Sequence, residues 1–234
     1  MIKFTIIFIS ILWLVGCSTN KTIDQSAKKE SIMEKANNYS GLVKLYSDKV
    51  KKSDSEENRF KLATYYYKLN DYEASSYHIE NLLKRNSNNP EYLFMQSDNF
   101  YKLGKFKLSL RLINSAIKSK SDVAKYYNQK GIVLSSLKKY EDSIVQFNQA
   151  RALLFDNTKI KNNIAVSLYM EGKYKESLGM LMPIYLRNPQ DKKVTSNMIL
   201  VLSKLRDKDY VMQILTEKYE VSRDEARVIY NKLA

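Results

Sequence analysis

A 34-residue repetition constrains this chain more than any other feature. The segment Leu69-Asn70-Asp71-Tyr72-Glu73 recurs as Leu103-Gly104-Lys105-Phe106-Lys107, as Leu137-Lys138-Lys139-Tyr140-Glu141, and as Glu171-Gly172-Lys173-Tyr174-Lys175. The aromatics fall at 72, 106, 140 and 174, 34 residues apart each time and with no insertion. A fixed period of this length means one supersecondary unit stacked on copies of itself, because no unit buries its apolar face alone. With repeats at 56–89, 90–123, 124–157 and 158–191, the eighth position is small: Ala63, Ser97, Gly131 and Ala165. The eleventh is large (Tyr66, Phe100, Leu134, Leu168), the twentieth is Ser75, Ser109, Ser143 and Ser177, and the twenty-fourth is Ile79, Ile113, Phe147 and Leu181. Small residues facing each other let two helices approach closely, and the large ones fill the space between successive pairs. Asn70, Gly104 and Gly172 occupy the turn and tolerate positive φ after a helix end. Lys138 takes that place in the third copy at a modest cost.

The period and pattern resemble the tetratricopeptide repeat (TPR), a helix–turn–helix unit of about 34 residues. The resemblance implies an all-α fold, a superhelical solenoid of helix–turn–helix hairpins. Composition agrees: three Pro and six Gly in 234 residues disfavour a turn-rich all-β chain. The 18 tyrosines then read as packing residues with wet hydroxyls. The flanks read as capping elements, since the outer face of a terminal repeat meets water. Residues 31–55 are expected to form N-terminal capping helices, with Tyr39, Leu42, Leu45 and Tyr46 on one face of a helix over Asn38 to Val50. Residues 192–234 read as a degenerate repeat and a capping helix. Val194, Met198, Leu202 and Leu205 mark its first helix. Met212, Ile214, Leu215 and Tyr219 are to be buried by a second, and Ser222 with Glu225 makes a capping box for the last. Pro183 predicts a bend or early end in the second helix of the fourth repeat. Pro189 falls in an inter-repeat turn.

The N-terminus has another character. Lys3 gives a short positive region, and Phe4 to Val15 is apolar, too short to span a bilayer and suited to a signal peptide. Leu14-Val15-Gly16-Cys17 resembles the bacterial lipobox, built around the only Cys of the chain. The resemblance implies removal of residues 1–16 and acylation of Cys17, with a covalent diacylglycerol and an N-acyl chain that together anchor it durably. Loss of Lys3 with that segment takes the formal net charge from +14 to +13. Ser18 after the Cys, rather than Asp, implies an outer-membrane destination facing the periplasm. Residues 17–30 read as the lipidated Cys and a flexible tether.

Little points to catalysis. One Cys permits no internal disulfide and no cysteine-rich zinc site, and His78 is the single histidine. Phosphate-loop, H-E-x-x-H and G-x-S-x-G patterns do not occur. Asp54, Glu56 and Glu57 cluster where a helix N-terminus favours acids. The expectation is a non-enzymatic chain with no metal, no small-molecule substrate and no cofactor other than the lipid on Cys17. The positive charge, mostly Lys and spread through every repeat, has two readings. One is solvation. The other is attraction to an acidic partner, anionic headgroups or peptidoglycan; nucleic acid is not expected of an exported lipoprotein.

In TPR folds the first helices line a concave face at roughly the second, fifth, ninth and twelfth positions. The resemblance therefore assigns Glu57, Phe60, Thr64 and Tyr67 to it in the first repeat, and Glu91, Phe94, Asp98 and Tyr101 in the second. In the third these are Lys125, Asn128, Ile132 and Ser135, and in the fourth Lys159, Asn162, Val166 and Tyr169. The face is expected to be aromatic and acidic at its start, polar and basic at its end. Phe60, Tyr67, Phe94 and Tyr101 form an aromatic ladder suited to hot-spot contacts. Lys159 and Asn163 match only fragments of a carboxylate clamp, so capture of a chain terminus is not expected.

A lipobox ahead of four to six TPRs resembles the TPR lipoproteins of pilus and secretin assembly, and in particular the TadD family of the tight-adherence (Flp, type IVb) pilus system. The residues that carry this are Asn162 to Leu168, the turn Gly172-Lys173-Tyr174, Met182-Pro183, Val194 to Leu205 and the tail helix. The resemblance implies an outer-membrane lipoprotein that helps localise or oligomerise the secretin, with secretin or pilus assembly proteins as partners. A type IV pilotin, a scaffold for cell-wall enzymes and a surface-exposed adhesin-like lipoprotein stand as alternatives.

Overall fold

The computed structural model describes residues 19–234, with side chains from residue 27 onward. Residues 1–16, read as a leader, and Cys17, read as the lipidation site, lie outside the described residues. Among the described residues there are thirteen α-helices and no strand. They are α1 (Thr19–Lys35), α2 (Tyr39–Lys52), α3 (Glu56–Lys68), α4 (Tyr72–Arg85), α5 (Pro90–Lys102), α6 (Phe106–Ser119) and α7 (Ala124–Ser136). There follow α8 (Tyr140–Ala152), α9 (Asn157–Met170), α10 (Tyr174–Arg187), α11 (Lys192–Lys204), α12 (Lys208–Lys218) and α13 (Arg223–Leu233).

The helices pair into hairpins through one turn used six times. Asn37, Asn70, Gly104, Lys138, Gly172 and Arg206 each have positive φ, from 52° to 88°. In the α3–α4 turn the Asp71 N–H bonds the Tyr66 carbonyl and the Asn70 N–H bonds the Tyr67 carbonyl. This is the Schellman arrangement, which satisfies the last carbonyls of the first helix. Asp71 then caps the second helix through its carboxylate, which accepts from the Ala74 N–H at 2.9 Å. The turn at Arg206 keeps the 34-residue interval from Gly172, and the turn at Asn37 stands 33 before Asn70. The repeat register therefore extends beyond the four copies legible by their aromatics, because Lys208 stands where Tyr174 stood one copy earlier.

Within hairpins, the small eighth position and the serine at the twentieth meet. Ser97 Oγ donates to the Ser109 carbonyl at 2.9 Å, and Ser177 Oγ donates to the Ala165 carbonyl at 2.7 Å. These serines are fully buried, where a hydroxyl is ordinarily partnered; of the four at the twentieth position, Ser75 Oγ alone has no partner among the described residues. In the third copy the space left by Gly131 is filled by the Phe147 ring, and Ser143 reaches Ser135 at 2.7 Å instead. Ile79, Ile113, Phe147 and Leu181 are at most 1% exposed and form the wedge between hairpins.

First helices touch the first helices of the next hairpin, α5 to α7, α7 to α9 and α9 to α11, whereas second helices make no comparable contacts with one another. Elements that approach on one side and separate on the other bend the stack. The first helices therefore line its concave face.

Three expectations are corrected. The stretch 17–30, read as a flexible tether, is helical from Thr19 onward as part of α1. Its Gln, Ala, Lys and Glu are good helix formers, and no Pro or Gly interrupts it. Tertiary partners hold it: Met33 packs on Leu42, Tyr46, Leu62 and Tyr65, while Glu30 accepts from Lys61 at 2.8 Å. Of the bend or early end expected at Pro183, the early end does not occur, since α10 runs to Arg187. The carbonyl that Pro183 leaves without a donor belongs to Gly179; both residues are exposed, and nothing crowds a Cβ built at Gly179. Tyr219, expected to be buried, is 40% exposed, because α12 stops at Lys218. The capping box at Ser222 and Glu225 is present.

Tyrosine hydroxyls do more than meet water. Tyr65 on α3 donates to Glu34 on α1 at 2.5 Å, Tyr67 on α3 to Asp98 on α5 at 2.5 Å, and Tyr92 on α5 to Glu56 on α3 at 3.0 Å. Phenol–carboxylate bonds thus fasten successive first helices together. Burial, reinforced by the neighbouring carboxylate, pushes all three phenols up, Tyr92 to about 12. They remain protonated donors at any physiological pH.

Candidate functional site

The concave face carries three hollows. The first, of about 310 Å³, lies between α3, α5 and α7 and is lined by Phe60, Thr64, Tyr67, Glu91, Phe94, Met95, Asp98 and Lys125. Seven residues assigned from the repeat positions come together here: Phe60, Thr64, Tyr67, Glu91, Phe94, Asp98 and Lys125. Each sits on a first helix at a spacing of three or four, which places them on one face. Phe60 packs tilted on Tyr92 with centroids 5.2 Å apart, and Phe94 on Tyr126 at 5.2 Å, so both rings are held. Asp98 accepts from Tyr67 through one oxygen and from Gln129 Nε2 at 3.0 Å through the other.

The second hollow, of about 290 Å³, crosses from α5 to α11; its lining is mostly apolar, with Lys102 and Lys193 as its charged groups. Tyr101, Ile132, Asn162 and Val166 line it, together with Lys102, Ser136, Asn163, Met170 and Lys193. Asn162 is 3% exposed. Its Oδ1 accepts from Asn197 Nδ2 at 2.8 Å, which orients the amide, and its Nδ2 has no partner among the described residues. The third hollow, of about 170 Å³, holds Val166 and Tyr169 with Met170, Leu200 and Val201 and is almost wholly apolar.

Three assigned residues line none of these hollows, and the first of them, Glu57, is exposed in the first turn of α3. Asn128 uses its Oδ1 to accept from Asn163 Nδ2 at 2.8 Å, a bond between hairpins. Lys159 is exposed in the first turn of α9, where its N–H bonds the Asp156 cap at 2.8 Å. The aromatic ladder divides between hollows, with Phe60, Tyr67 and Phe94 in the first and Tyr101 in the second. Tyr101 turns against Phe106 at 5.6 Å.

Repeat reasoning passed over the sixth position, which supplies Met95 and Asn163 to the hollows and Gln129 to Asp98. The signal was present as a 31-residue offset. The sixth position faces the ninth of the preceding hairpin, as in Lys61 with Glu30, Met95 with Thr64, and Gln129 with Asp98.

His78 lies away from the concave face. Its ring stacks on Tyr66 at 5.5 Å, and Nδ1 faces an Arg59 N–H at 3.2 Å. Burial, with the Arg59 charge, pushes it below the ordinary histidine range, so it stays neutral. Arg59 and Arg85 both clasp Asp54, whose carboxyl is held at about 2 chiefly by the Arg59 bonds. This knot ties the α2–α3 corner to α4 and is structural. No cluster of three metal-ligating side chains occurs among the described residues, and none of their helices is long and apolar enough to cross a membrane.

No family model matches the chain. A search of curated proteins likewise finds no match. Solved structures do match. A tetratricopeptide repeat protein from Parabacteroides merdae superposes with a TM-score of 0.71 at 12% identity, covering 86% of this chain and 80% of that one. PilW, described as a widely conserved type IV pilus biogenesis factor, gives 0.62 at 19% identity over 73% and 80% of the two chains. YrrB, described as a TPR protein with an unusual peptide-binding site, gives 0.56 at 13% identity over 74% and 94%. At these identities the likeness is one of fold: the chain is a TPR solenoid.

Proposed function

We propose that this chain is a non-enzymatic, lipid-anchored scaffold that serves assembly of a Flp/type IVb (Tad) pilus apparatus. It binds a segment of a partner on its concave face. The observation that carries the binding part is the run of hollows along the first helices, with held aromatic side chains facing solvent at Phe60, Tyr67 and Phe94. Half-exposed aromatics fixed by their neighbours lose little entropy on contact, which suits them to hot-spot roles. The likeness of fold to PilW, together with the lipobox ahead of the repeats, supports the pilus setting. Acylation of Cys17 holds the solenoid at the outer membrane on the periplasmic side, where the partner is the secretin or another pilus assembly protein.

The test is a crosslinking capture from outer membranes of cells producing the intact protein, with partners identified by mass spectrometry. A secretin or pilus subunit is the expected partner, and an exported Cys17→Ala chain is expected to lose both membrane retention and piliation. Capture of cell-wall enzymes without any pilus component overturns the pilus reading. Full piliation by the Cys17→Ala chain overturns the role of the anchor.

A further inference from the structure

The first hollow carries a charge arrangement opposite to that of the chain around it. Lys and Arg outnumber Asp and Glu by 39 to 25, yet this hollow holds two carboxylates, Glu91 and Asp98, and one ammonium, Lys125. Asp98 is the informative one. Both its oxygens are engaged, but by neutral donors, the Tyr67 hydroxyl at 2.5 Å and the Gln129 amide at 3.0 Å. No Lys or Arg pairs with Asp98 or Glu91 among the described residues. Neutral donors hold a carboxylate in place without cancelling its charge, and a half-buried charge is felt more strongly than one in water. The walls add to this, because the faces of Phe60, Tyr67 and Phe94 are the negative ends of their quadrupoles. Tyr67 has committed its hydrogen to Asp98 and so presents its ring rather than a donor. A cation is already drawn to the rim: the Lys125 ammonium stands 4.9 Å from the centroid of Phe94.

From this geometry we infer that the first hollow binds an arginine side chain of the partner segment, its guanidinium on the rings and against Asp98 and its stem on Thr64 and Met95. Arginine fits better than lysine because its planar, weakly hydrated head stacks on rings and gives up less solvation on entering. The site excludes acidic side chains through Asp98 and Glu91. The assignment rests on the reading of the concave face as a partner-binding face, and it is independent of the pilus setting and of the lipid.

The test titrates the purified protein with N-acetyl-Gly-Arg-Gly-amide, read by the NMR shifts of the Phe60 and Phe94 rings, against the same peptide carrying norleucine or glutamate. Saturable binding of the arginine peptide is expected, weakened at least about fivefold by Asp98→Asn, which keeps an acceptor for Tyr67 and removes the charge. Lys125→Met alters only an exposed rim residue and is expected to tighten the arginine peptide about threefold by removing a like charge. Equal binding of the norleucine peptide, preference for the glutamate peptide, absence of arginine binding, or weakening by Lys125→Met each overturns the assignment. Any of these results alongside capture of a secretin or pilus subunit by the intact chain leaves the proposed function standing.

Discussion

The Tyr67 hydroxyl on α3 donates to the Asp98 carboxylate on α5 at 2.5 Å, across the floor of the concave face. One bond therefore fastens two hairpins and fixes the charge of the first hollow. Tyr67→Phe keeps the ring and removes the donor. Hydrogen bonds to charged groups contribute about 1.5–3 kcal/mol, and water reaches Asp98 in part, so the expected loss is about 1–2 kcal/mol. Equilibrium urea unfolding measures it. No loss of stability would show that the bond contributes nothing beyond what water supplies.

Gly131 and Phe147 set the approach of α7 to α8. A Cβ at Gly131 would lie 2.5 Å from the Phe147 ring, inside any real contact distance. Gly131→Ala gains about 1 kcal/mol of helix propensity, but overpacking of this kind costs about 1–3 kcal/mol or more. Net destabilisation is expected, largely relieved when Phe147→Leu is added. Additive effects in that double-mutant cycle would contradict the close crossing.

Acid should release α1 before the rest of the stack. Burial pushes the Glu30 carboxyl up, but the Lys61 bond and the nearby Lys49 and Lys61 charges outweigh it, and it ends below its ordinary value. A lowered carboxyl contributes stability that is present above the unfolded pKa of about 4.3 and is lost as pH falls through the folded value. Asp54, at about 2, behaves likewise at the α2–α3 corner. Hydrogen exchange of α1 amides is expected to quicken in Glu30→Gln at pH 7, and in the unaltered chain only below about pH 4. Unchanged protection of α1 in Glu30→Gln would mean that Met33 and the Tyr65–Glu34 bond suffice to hold the helix.

Leu154 has φ of 64° and is 93% exposed, in the turn after α8. A leucine there bears backbone strain and buries nothing. Leu154→Asn is expected to stabilise the chain by about 0.5–1 kcal/mol, since asparagine tolerates this conformation. A shift of the urea midpoint to higher concentration with an unchanged slope verifies it. A lower midpoint would show that Leu154 packs in solution.

Much of the fold is legible in residue spacing. The 34-residue interval, the small eighth position, Ser75, Ser109, Ser143 and Ser177, and the positive-φ turn at Lys138 all follow from a hairpin that must repeat. Seven of the side chains assigned to the concave face, from Phe60 to Lys125, do share one hollow. What spacing could not show is how hairpins address one another. The sixth position was passed over because its partner lies 31 residues away, in the preceding hairpin. Tyrosines read as wet instead bond carboxylates on neighbouring first helices, as Tyr65 does to Glu34 and Tyr92 to Glu56. The polar stretch before residue 31 reads as a tether until Lys61 and Lys49 are seen to donate to Glu30, and Tyr65 to Glu34 further along the same helix.

By itself, then, the sequence determined the unit, its length, its number of legible copies and the side of each helix that packs. These follow from local periodicity, because burial of one helix face is decided within a turn or two of the chain. Only the tertiary structure decided that α1 joins the stack, that Asp98 is held by neutral donors with no cation paired to it among the described residues, and that Asn162 Nδ2 has no partner among them. Those outcomes depend on which side chains from three different hairpins converge at one point, and on the charge and hydrogen bonds left over when they do.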